Sequence, residues 1–118
     1  MNTLLKTGFS KKKFAIKKNQ AMHKIIANIN SKGKGFFALE IDNKTIGQIK
    51  VQLNNNELIL LDTIVPVKRY LYTIRNFLLQ AVVEFARMHE LKIITLSKFT
   101  QQQFSSNPLI YVDVWEKA

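Results

Sequence analysis

The amino-acid sequence predicts a single α+β domain, and three observations carry that prediction. Three short runs rich in aliphatic and aromatic residues, separated by tight turns, are typical of an antiparallel meander. They are followed by a long stretch with apolar residues at helical spacing, and then by a further apolar run short enough for a strand. At 118 residues, of which 47% are hydrophobic, the chain has the length and composition of one globular domain.

The meander's three strands are predicted at residues 36–41, 45–53 and 57–64. Asp42-Asn43-Lys44 supplies the first turn and three asparagines at 54–56 the second, because asparagine and aspartate tolerate turn backbone conformations. The second run alternates between apolar and polar residues, which is typical of a strand with one solvated face. The third run contains Leu-Ile-Leu-Leu at 58–61, which indicates a central strand buried on both faces.

A long helix over residues 71–89 is predicted by apolar residues at helical spacing, namely Leu71, Ile74, Phe77, Leu78, Ala81, Val82 and Phe85. Arg75, Glu84 and Arg87 fall outside that stripe, so the helix is expected to pack one face against the sheet. The remaining elements are a strand over residues 92–96, a helical turn at 99–104, a break at Asn107-Pro108 and a closing short helix or strand at 111–115.

The positive charge is concentrated in residues 1–34, which form a predicted basic arm that precedes a domain at residues 35–118. The net charge of the chain is +10, and the arm carries nine lysines and no acid. The domain's nine bases are nearly balanced by eight acids. Within the arm, a helix over residues 20–30 is predicted by apolar residues at helical spacing, namely Met22, Ile25, Ile26 and Ile29.

The lysine cluster of the arm has two interpretations that the sequence leaves open. Its members are Lys11, Lys12, Lys13, Lys17 and Lys18. Such a run is commonly a solvated extension with no further function. It also fits an electrostatic contact with an anionic partner, either a nucleic acid, a membrane surface or an acidic protein. No nucleic-acid-binding motif of defined spacing accompanies the lysines, so binding of a polyanion is expected to be nonspecific.

Several classes of function are excluded by what the sequence lacks. With no cysteine, the chain has no disulfide framework, thiolate zinc site or thiol nucleophile. His23 and His89 have no Asp, Glu or His at ligand spacing, so no metal site is expected. No apolar run reaches the ~20 residues of a membrane span or forms a signal-peptide core, so we expect a cytoplasmic protein without a transmembrane segment.

A series of short motifs adds specificity to the predicted order of elements. They are Asp62-Thr63-Ile64-Val65-Pro66, Phe85-Ala86-Arg87, Leu91-Lys92-Ile93, Phe99, and Asn107-Pro108 with Tyr111 and Asp113. From residue 36 to residue 115 the sequence thereby resembles the family of minimal GNAT N-acetyltransferase-like domains. That family's pattern has His-Thr-x-Val-Pro, a glycine-rich loop, Tyr-Ala-Arg, Leu-Lys-Ile, Leu-Cys-x-Phe and Asn-Pro-x-Tyr. The resemblance implies a GNAT-like α+β fold that transfers an acetyl group from acetyl-CoA to an amine.

The same resemblance implies a cofactor site, because the family's glycine-rich loop and the helix N-terminus after it bind the pyrophosphate of acetyl-CoA. The matching positions are Pro66, Val67, Lys68, Arg69, Tyr70, Leu71, Tyr72, Thr73, Ile74 and Arg75. The three loop glycines are replaced by Leu71, Thr73 and Arg75. Their side chains are expected to obstruct a close approach and to disfavour a positive φ, whereas Lys68, Arg69 and Arg75 supply compensating charge.

Two further positions are implied to be catalytic by the resemblance. The family cysteine is matched by Ser97, whose hydroxyl is expected to donate a hydrogen bond to the leaving thiolate rather than to form an acyl-enzyme. The family histidine is matched by Asp62, which acts as a base only if its pKa is raised well above the usual ~3.9. In the alternative interpretation, Ser97 is a strand-end hydroxyl bonded to the backbone.

Two functions from different classes therefore remain open. The first is an acetyl-CoA-dependent N-acetyltransferase acting on an amine that the sequence does not identify. The second is a non-catalytic binding module whose lysine-rich arm docks an anionic partner, an interpretation that the replaced glycines and cysteine favour. Because a domain of this size has exposed sheet edges, a homodimer that pairs two edge strands is a further expectation.

Overall fold

The computed structural model describes residues 12–18 and 21–116, which form one six-stranded sheet with three helices. The strands are β1 Lys12–Lys18, β2 Ala21–Ile29, β3 Lys34–Ile41, β4 Lys44–Asn54, β5 Glu57–Ile64 and β6 Lys92–Thr95. The helices are α1 Leu71–Met88, α2 Lys98–Ser106 and α3 Pro108–Tyr111, and a 3-10 turn at Lys68–Tyr70 precedes α1. The predicted α+β class is confirmed.

The strands lie in the sheet in the same order as in the chain. β1 to β5 pair antiparallel, whereas β6 pairs parallel with β5. The connection through α1 makes the crossover that a parallel neighbour requires. The predicted meander corresponds to β3, β4 and β5 and is confirmed. Its turn residues Asp42, Asn43 and Asn55 have positive φ, a conformation that Asn and Asp tolerate better than most residues.

Helix α1 covers one face of the sheet, as predicted for the long apolar stripe. Its buried residues are Ile74, Leu78, Leu79, Val82, Val83, Phe85 and Ala86. They share one core cluster with alternate strand residues, including Phe37 and Leu60. The rings of Phe85 and Phe37 meet edge to face with their centroids 5.0 Å apart. The helix approaches β4 closely at Gly47, where a Cβ would lie 2.6 Å from Cγ2 of Ile74.

The helix predicted over residues 20–30 is wrong, because residues 21–29 form strand β2. Ile25 and Ile29 are four residues apart, a spacing that places two side chains on the same face of a helix and also on the same face of a strand. β-branched residues favour the strand. Pairing with β3 decides the matter, and Ile25, Ala27 and Ile29 are buried under α1 as alternate residues. Residues 21–34 therefore belong to the sheet rather than to a separate arm.

Strand β5 is covered on one face only, so the prediction of burial on both faces is also wrong. Leu58 and Leu60 are buried, whereas Ile59 is half-buried and Leu61 is exposed. Because both faces of this strand are apolar, the alternation that reveals a half-solvated strand is absent from its sequence. Only the position of the helices shows which face is covered.

The C-terminal segment packs beside β6 on the same side of the sheet as α1. Phe104 of α2 is fully buried, with its ring centroid 4.6 Å from that of Tyr111 and 5.4 Å from that of Trp115. Trp115 also forms a parallel bridge with Ile93 of β6. Phe104, Tyr111 and the residues of α1 belong to one core cluster, so the described helices leave the opposite face of the sheet uncovered. The predicted strand and helical turn are confirmed, whereas the closing element predicted at 111–115 is wrong: the short helix begins at Pro108, and residues 112–114 form a turn before the bridge at Trp115.

Candidate functional site

Strand β5 carries a β-bulge at Leu61 and Asp62. In its pairing with β4, the partners change from Leu60 to Thr63 across a single β4 residue, Lys50. A bulge leaves its extra residue unpaired and changes the direction of the backbone and side chain there, a feature that is common beside functional sites. Leu61 and Asp62 are both exposed, so the bulge faces solvent.

Strands β5 and β6 separate just beyond the start of this bulge. Their parallel pairing ends at Leu60 and Thr95, where the N–H of Leu96 donates to the carbonyl of Leu60 at 3.3 Å. β5 continues to Ile64, and β4 is its sheet partner there in the described part of the chain. The backbone of residues 61–64 thus has one open edge at the carboxyl ends of two parallel strands, the place where α/β sheets commonly bind ligands.

The start of α1 follows this open edge after a few residues and is cationic. Neither Val67, the N-cap of the 3-10 turn, nor Tyr70, the N-cap of α1, makes a side-chain capping hydrogen bond. No acid lies in the first turn of either element, whereas Lys68, Arg69 and Arg75 lie in or close to them. Uncapped N–H groups, the positive end of the helix dipole and nearby cations together favour an anion.

The positions that match the family's glycines have ordinary helical geometry. Leu71 has φ −53° and ψ −52°, and Thr73 and Arg75 lie within the helix. Positive φ in the described residues occurs elsewhere, at Gly33, Asp42, Asn43, Asn55 and Glu90. The expected cost of replacing glycine at a positive φ is therefore absent. Bulky side chains do occupy the surface at this helix start: Tyr70 and Tyr72 are 48% and 62% exposed.

A small cluster of side chains joins the start of α1 to the start of α2. The ring of Tyr72 meets that of Phe99 edge to face at 5.8 Å, and the guanidinium of Arg75 lies 4.9 Å from the centroid of the same ring. The beginnings of both helices therefore lie side by side at the carboxyl ends of β5 and β6. Sequence analysis missed this contact, and its only signal was the place of Phe99 in a family motif.

Ser97 and Asp62 lie at the same end of the parallel pair. Ser97 is the N-cap of α2: its Oγ accepts a hydrogen bond from the N–H of Thr100 at 3.3 Å, and its own N–H donates to Oγ1 of Thr95 at 3.1 Å. Asp62 follows Leu60 by two positions, as Ser97 follows Thr95. The interpretation of Ser97 as a strand-end hydroxyl bonded to the backbone is confirmed, and the catalytic roles of both residues stay predictions.

The lysine cluster of the predicted arm coincides with the edge strand β1 where it is described. Lys11 lies outside the described residues, and Lys12, Lys13, Lys17 and Lys18 belong to β1, which is described by its backbone. β1 pairs with β2 along its whole length. Lysine-rich edge strands resist pairing with further strands, so a homodimer through this edge is disfavoured. Anion binding by the cluster stays a prediction.

The other end of α1 is joined to the C-terminal segment by Arg87. Its Nε donates to Oδ2 of Asp113 at 2.9 Å, and its Nη2 donates to the carbonyl of Ile110 at 2.6 Å. Nζ of Lys92 donates to the carbonyl of Asp113 at 2.8 Å. Sequence analysis placed Arg87 and Asp113 in family motifs without predicting that they form a pair. A cavity of about 270 Å³ lies beside them and is lined by these same side chains.

The contact between Arg87 and Asp113 shifts the protonation equilibria of both groups. The hydrogen bond from Arg87 lowers the pKa of the Asp113 carboxyl below its ordinary value. The same bond raises the pKa of the Arg87 guanidinium. The pair is partly exposed, so water and salt screen the interaction and its effect on stability is small.

Other classes of site are not found in the described chain, and no relative identifies the function. Within residues 12–18 and 21–116, no group of three His, Asp or Glu residues is arranged to hold a metal ion. In the same part of the chain, no helix has the length and apolar character needed to span a membrane. The chain matches no family model, no curated protein and no solved structure. The function is therefore inferred from the site alone.

Proposed function

We propose that the chain binds acetyl-CoA at the carboxyl ends of β5 and β6 and transfers the acetyl group to an amine. One observation carries this proposal: a bulged strand with an open edge at residues 61–64 lies next to a cationic helix start at residues 68–75. An open strand edge suits an extended chain that contains amide groups, such as pantetheine. A cationic helix start suits a pyrophosphate. Acetyl-CoA contains both groups in one molecule.

The residues around the site fit acetyl-CoA in charge and in available backbone. Lys68 and Arg69 are exposed and form no ion pair with a described acid, although the guanidinium of Arg69 lies 5.1 Å from the centroid of the Tyr70 ring, so both charges can reach phosphate groups. The N–H groups of Tyr70 and Leu71 donate to the carbonyls of Val67 and Lys68, so the backbone donors offered to an anion at this helix start are those of Lys68 and Arg69. The exposed rings of Tyr70 and Tyr72 leave less room around the helix start, which favours a slender, extended phosphate chain over a bulky anion.

When bound, acetyl-CoA supplies a thioester whose acetyl group is transferred to the attacking amine as the carbon–sulfur bond breaks. The unpaired backbone of the bulge at Leu61 and Asp62 offers an N–H to the thioester oxygen, where negative charge develops. The attacking amine is neutral because it has lost its proton to water before it reaches the thioester, and the exposed carboxylate of Asp62 attracts the cationic form of the acceptor to the site. Oγ of Ser97 accepts a hydrogen bond from the N–H of Thr100. Its own hydroxyl proton is not used in that bond and is available to donate to the sulfur of the leaving CoA.

A binding module without turnover is the second candidate function. The specific observation in its favour is the contact of Arg75 and Tyr72 with Phe99, which joins the two helix starts beside the bulge. In this alternative the site still holds a CoA-like anion, but these side chains limit the access of an acceptor amine. The two candidates therefore differ in acetyl transfer and agree in cofactor binding.

Calorimetric titration of the full chain with acetyl-CoA and with CoA tests the shared step. The variant Lys68→Glu/Arg69→Glu is expected to weaken acetyl-CoA binding tenfold or more, about 1.4 kcal/mol, without lowering the melting temperature. The matched control is Lys32→Glu/Lys34→Glu, which makes the same change of charge at the far end of the sheet. An equal loss of acetyl-CoA affinity in both variants would show that only the net charge of the protein matters, not a site at Lys68 and Arg69. Absence of binding by the parent protein would sink both candidates.

Acetyl transfer is tested by the release of free CoA in the presence of acetyl-CoA and a panel of amines. A thiol reagent reports this release without background from the protein, because the chain contains no cysteine. Amine-dependent release that is lower in Asp62→Asn than in the parent is expected for the enzyme. Tight binding of acetyl-CoA without any release identifies the binding module.

A further inference from the structure

The face of the sheet opposite the helices carries cations, amides and an aromatic ring. Strand register places Asn28, Phe36 and Lys50 side by side on this face. Lys34 and Gln52 lie side by side in the next row. The alternate residues of the same strands are buried under α1, so this set is directed away from the helices. We call it the Phe36 face.

Phe36 is the aromatic centre of this face. Its side chain is half-buried, and no described ring lies against it. Asn28 and Lys50 flank it across the strands, and Lys34 lies two residues away along its own strand. Directly opposed residues have Cβ atoms about 4.5–5.5 Å apart, and neighbouring rows are within reach of long side chains. Two ammonium groups therefore reach the surroundings of one partly exposed ring.

The lysines of this face lack acidic partners. The ion pair at the C-terminal end of α1 is the only one among the described residues, so Lys34 and Lys50 form no ion pair with a described acid. Two acids lie toward opposite ends of the same face: Glu40 directly opposite Lys24, and Glu57 opposite Asn54. Strand β1 extends the sheet beyond β2 and has four lysines among its seven residues. The net charge of the chain is +10, so an anionic partner is favoured.

We propose that the Phe36 face binds single-stranded nucleic acid. The ring of Phe36 stacks on a base, and Lys34 and Lys50 contact the flanking phosphates, a combination that tolerates any base. The amide of Asn28 lies where it reaches base edges exposed in a single strand, whereas the amide nitrogen of Gln52 already donates to the carbonyl of Lys32 and to Oδ1 of Asn54. This surface is on the opposite side of the sheet from the helices, so the proposal goes beyond acetyl transfer and does not depend on it.

The composition of the Phe36 face argues against the other anionic partners. A duplex is contacted in its grooves by a protruding helix or ribbon, whereas the centre of this face is a flat array of strands. A membrane surface favours a continuous stripe of exposed apolar residues; on this side of the sheet Ile59 and Leu61 lie on β5, whereas the row of Phe36 contains an amide and a lysine. An acidic protein accounts for the lysines and leaves the aromatic ring unexplained.

The test is fluorescence anisotropy of a labelled oligothymidylate of about 20 nucleotides, longer than the ~4–16 nucleotides of a comparable binding platform. The full chain is titrated at several salt concentrations. Lys34→Glu/Lys50→Glu is expected to lower affinity tenfold or more and to reduce the slope of log K against log salt by about 1.4, since each phosphate contact contributes ~0.7. Phe36→Leu keeps an apolar side chain and is expected to lower affinity about fivefold or more with an unchanged slope.

The matched control is Lys44→Glu/Lys98→Glu, which makes the same change of charge away from the Phe36 face, and thermal melting checks that each variant is folded. A smaller loss in the control than in Lys34→Glu/Lys50→Glu supports the proposal. Equal losses in both double variants, or parent-like binding by Phe36→Leu, overturn it. Tighter binding of the parent to a duplex, or to vesicles containing phosphatidylserine, also overturns it. Acetyl-CoA titration of Phe36→Leu is expected to match the parent, so failure of one site is distinguishable from failure of the other.

Discussion

The two ends of helix α1 both carry cations, but in opposite circumstances. At the C-terminal end, Arg87 donates to Asp113 and to the carbonyl of Ile110, and a cation there is also favoured by the helix dipole. At the N-terminal end, Lys68 and Arg69 have no described acidic partner and oppose the dipole. The first arrangement stabilises the fold by itself. The second lowers helix stability unless an anion is bound.

Burial differs between the two ends in the same way. Phe85, near the C-terminal end, is buried against Phe37 and belongs to the core. Around the N-terminal end, Val67, Tyr70 and Tyr72 are large and exposed. The packed part of the helix therefore runs from Ile74 to Ala86, whereas the N-terminal end presents cations and rings to solvent. The three predictions below test this difference.

The largest expected effect is on stability at the packed end. Phe85→Ala is expected to lower the free energy of unfolding by about 3–5 kcal/mol, because it leaves a cavity in the core and removes the edge contact with Phe37. Tyr72→Ala, at the exposed end, is expected to cost less than about 1 kcal/mol. Urea unfolding measures both. Comparable costs for the two variants would show that stability is not concentrated at the C-terminal end.

A smaller effect is expected from the pH dependence of the ion pair. The pKa of Asp113 is lower in the folded protein than its ordinary value of 3.8, so the ionised carboxylate stabilises the fold above the pKa of the unfolded chain. That contribution is lost as pH falls through the folded pKa. Since both groups are partly exposed, it amounts to at most about 1 kcal/mol.

The measurement is urea unfolding from neutral pH to below the pKa of Asp113. Asp113→Asn and Arg87→Met are both expected to remove the same part of the loss of stability at acid pH. If both variants lose as much stability at acid pH as the parent does, the loss arises from other carboxylates. The control is Tyr72→Ala at the other end of the helix, which changes no charge and is expected to keep the acid sensitivity of the parent.

The smallest expected effect has the opposite sign. Lys68→Gln/Arg69→Gln is expected to raise the free energy of unfolding at low salt, by about 0.3–1 kcal/mol, because cations at a helix start oppose the dipole. Arg87→Gln is expected to lower it. Under the proposed function, saturating acetyl-CoA is expected to make the parent more stable than Lys68→Gln/Arg69→Gln, since the parent gains more from binding. Destabilisation of the free protein by Lys68→Gln/Arg69→Gln would mean that these cations have partners within the fold.

Sequence analysis succeeded where a single periodicity was present and failed where two were compatible. The stripe from Ile74 to Phe85 has helical spacing only, and α1 was predicted almost to its ends. The isoleucines at 25 and 29 satisfy both periods, and pairing with β3 made their segment a strand. In β5, apolar residues on both faces concealed which face the helices cover. In each failure a neighbouring element, absent from the local pattern, decided the outcome.

The sequence by itself determined the α+β class, the meander with its turns, the long helix and the presence of three cations around the start of that helix. These features depend on residues close together in the chain, so local periodicity and turn chemistry were sufficient. Tertiary structure alone decided the bulge at Leu61 and Asp62, the contact of Tyr72 and Arg75 with Phe99, and the face around Phe36 that the described helices leave uncovered. Each of these depends on strand register or on packing between distant segments, and such contacts form only when the whole chain folds.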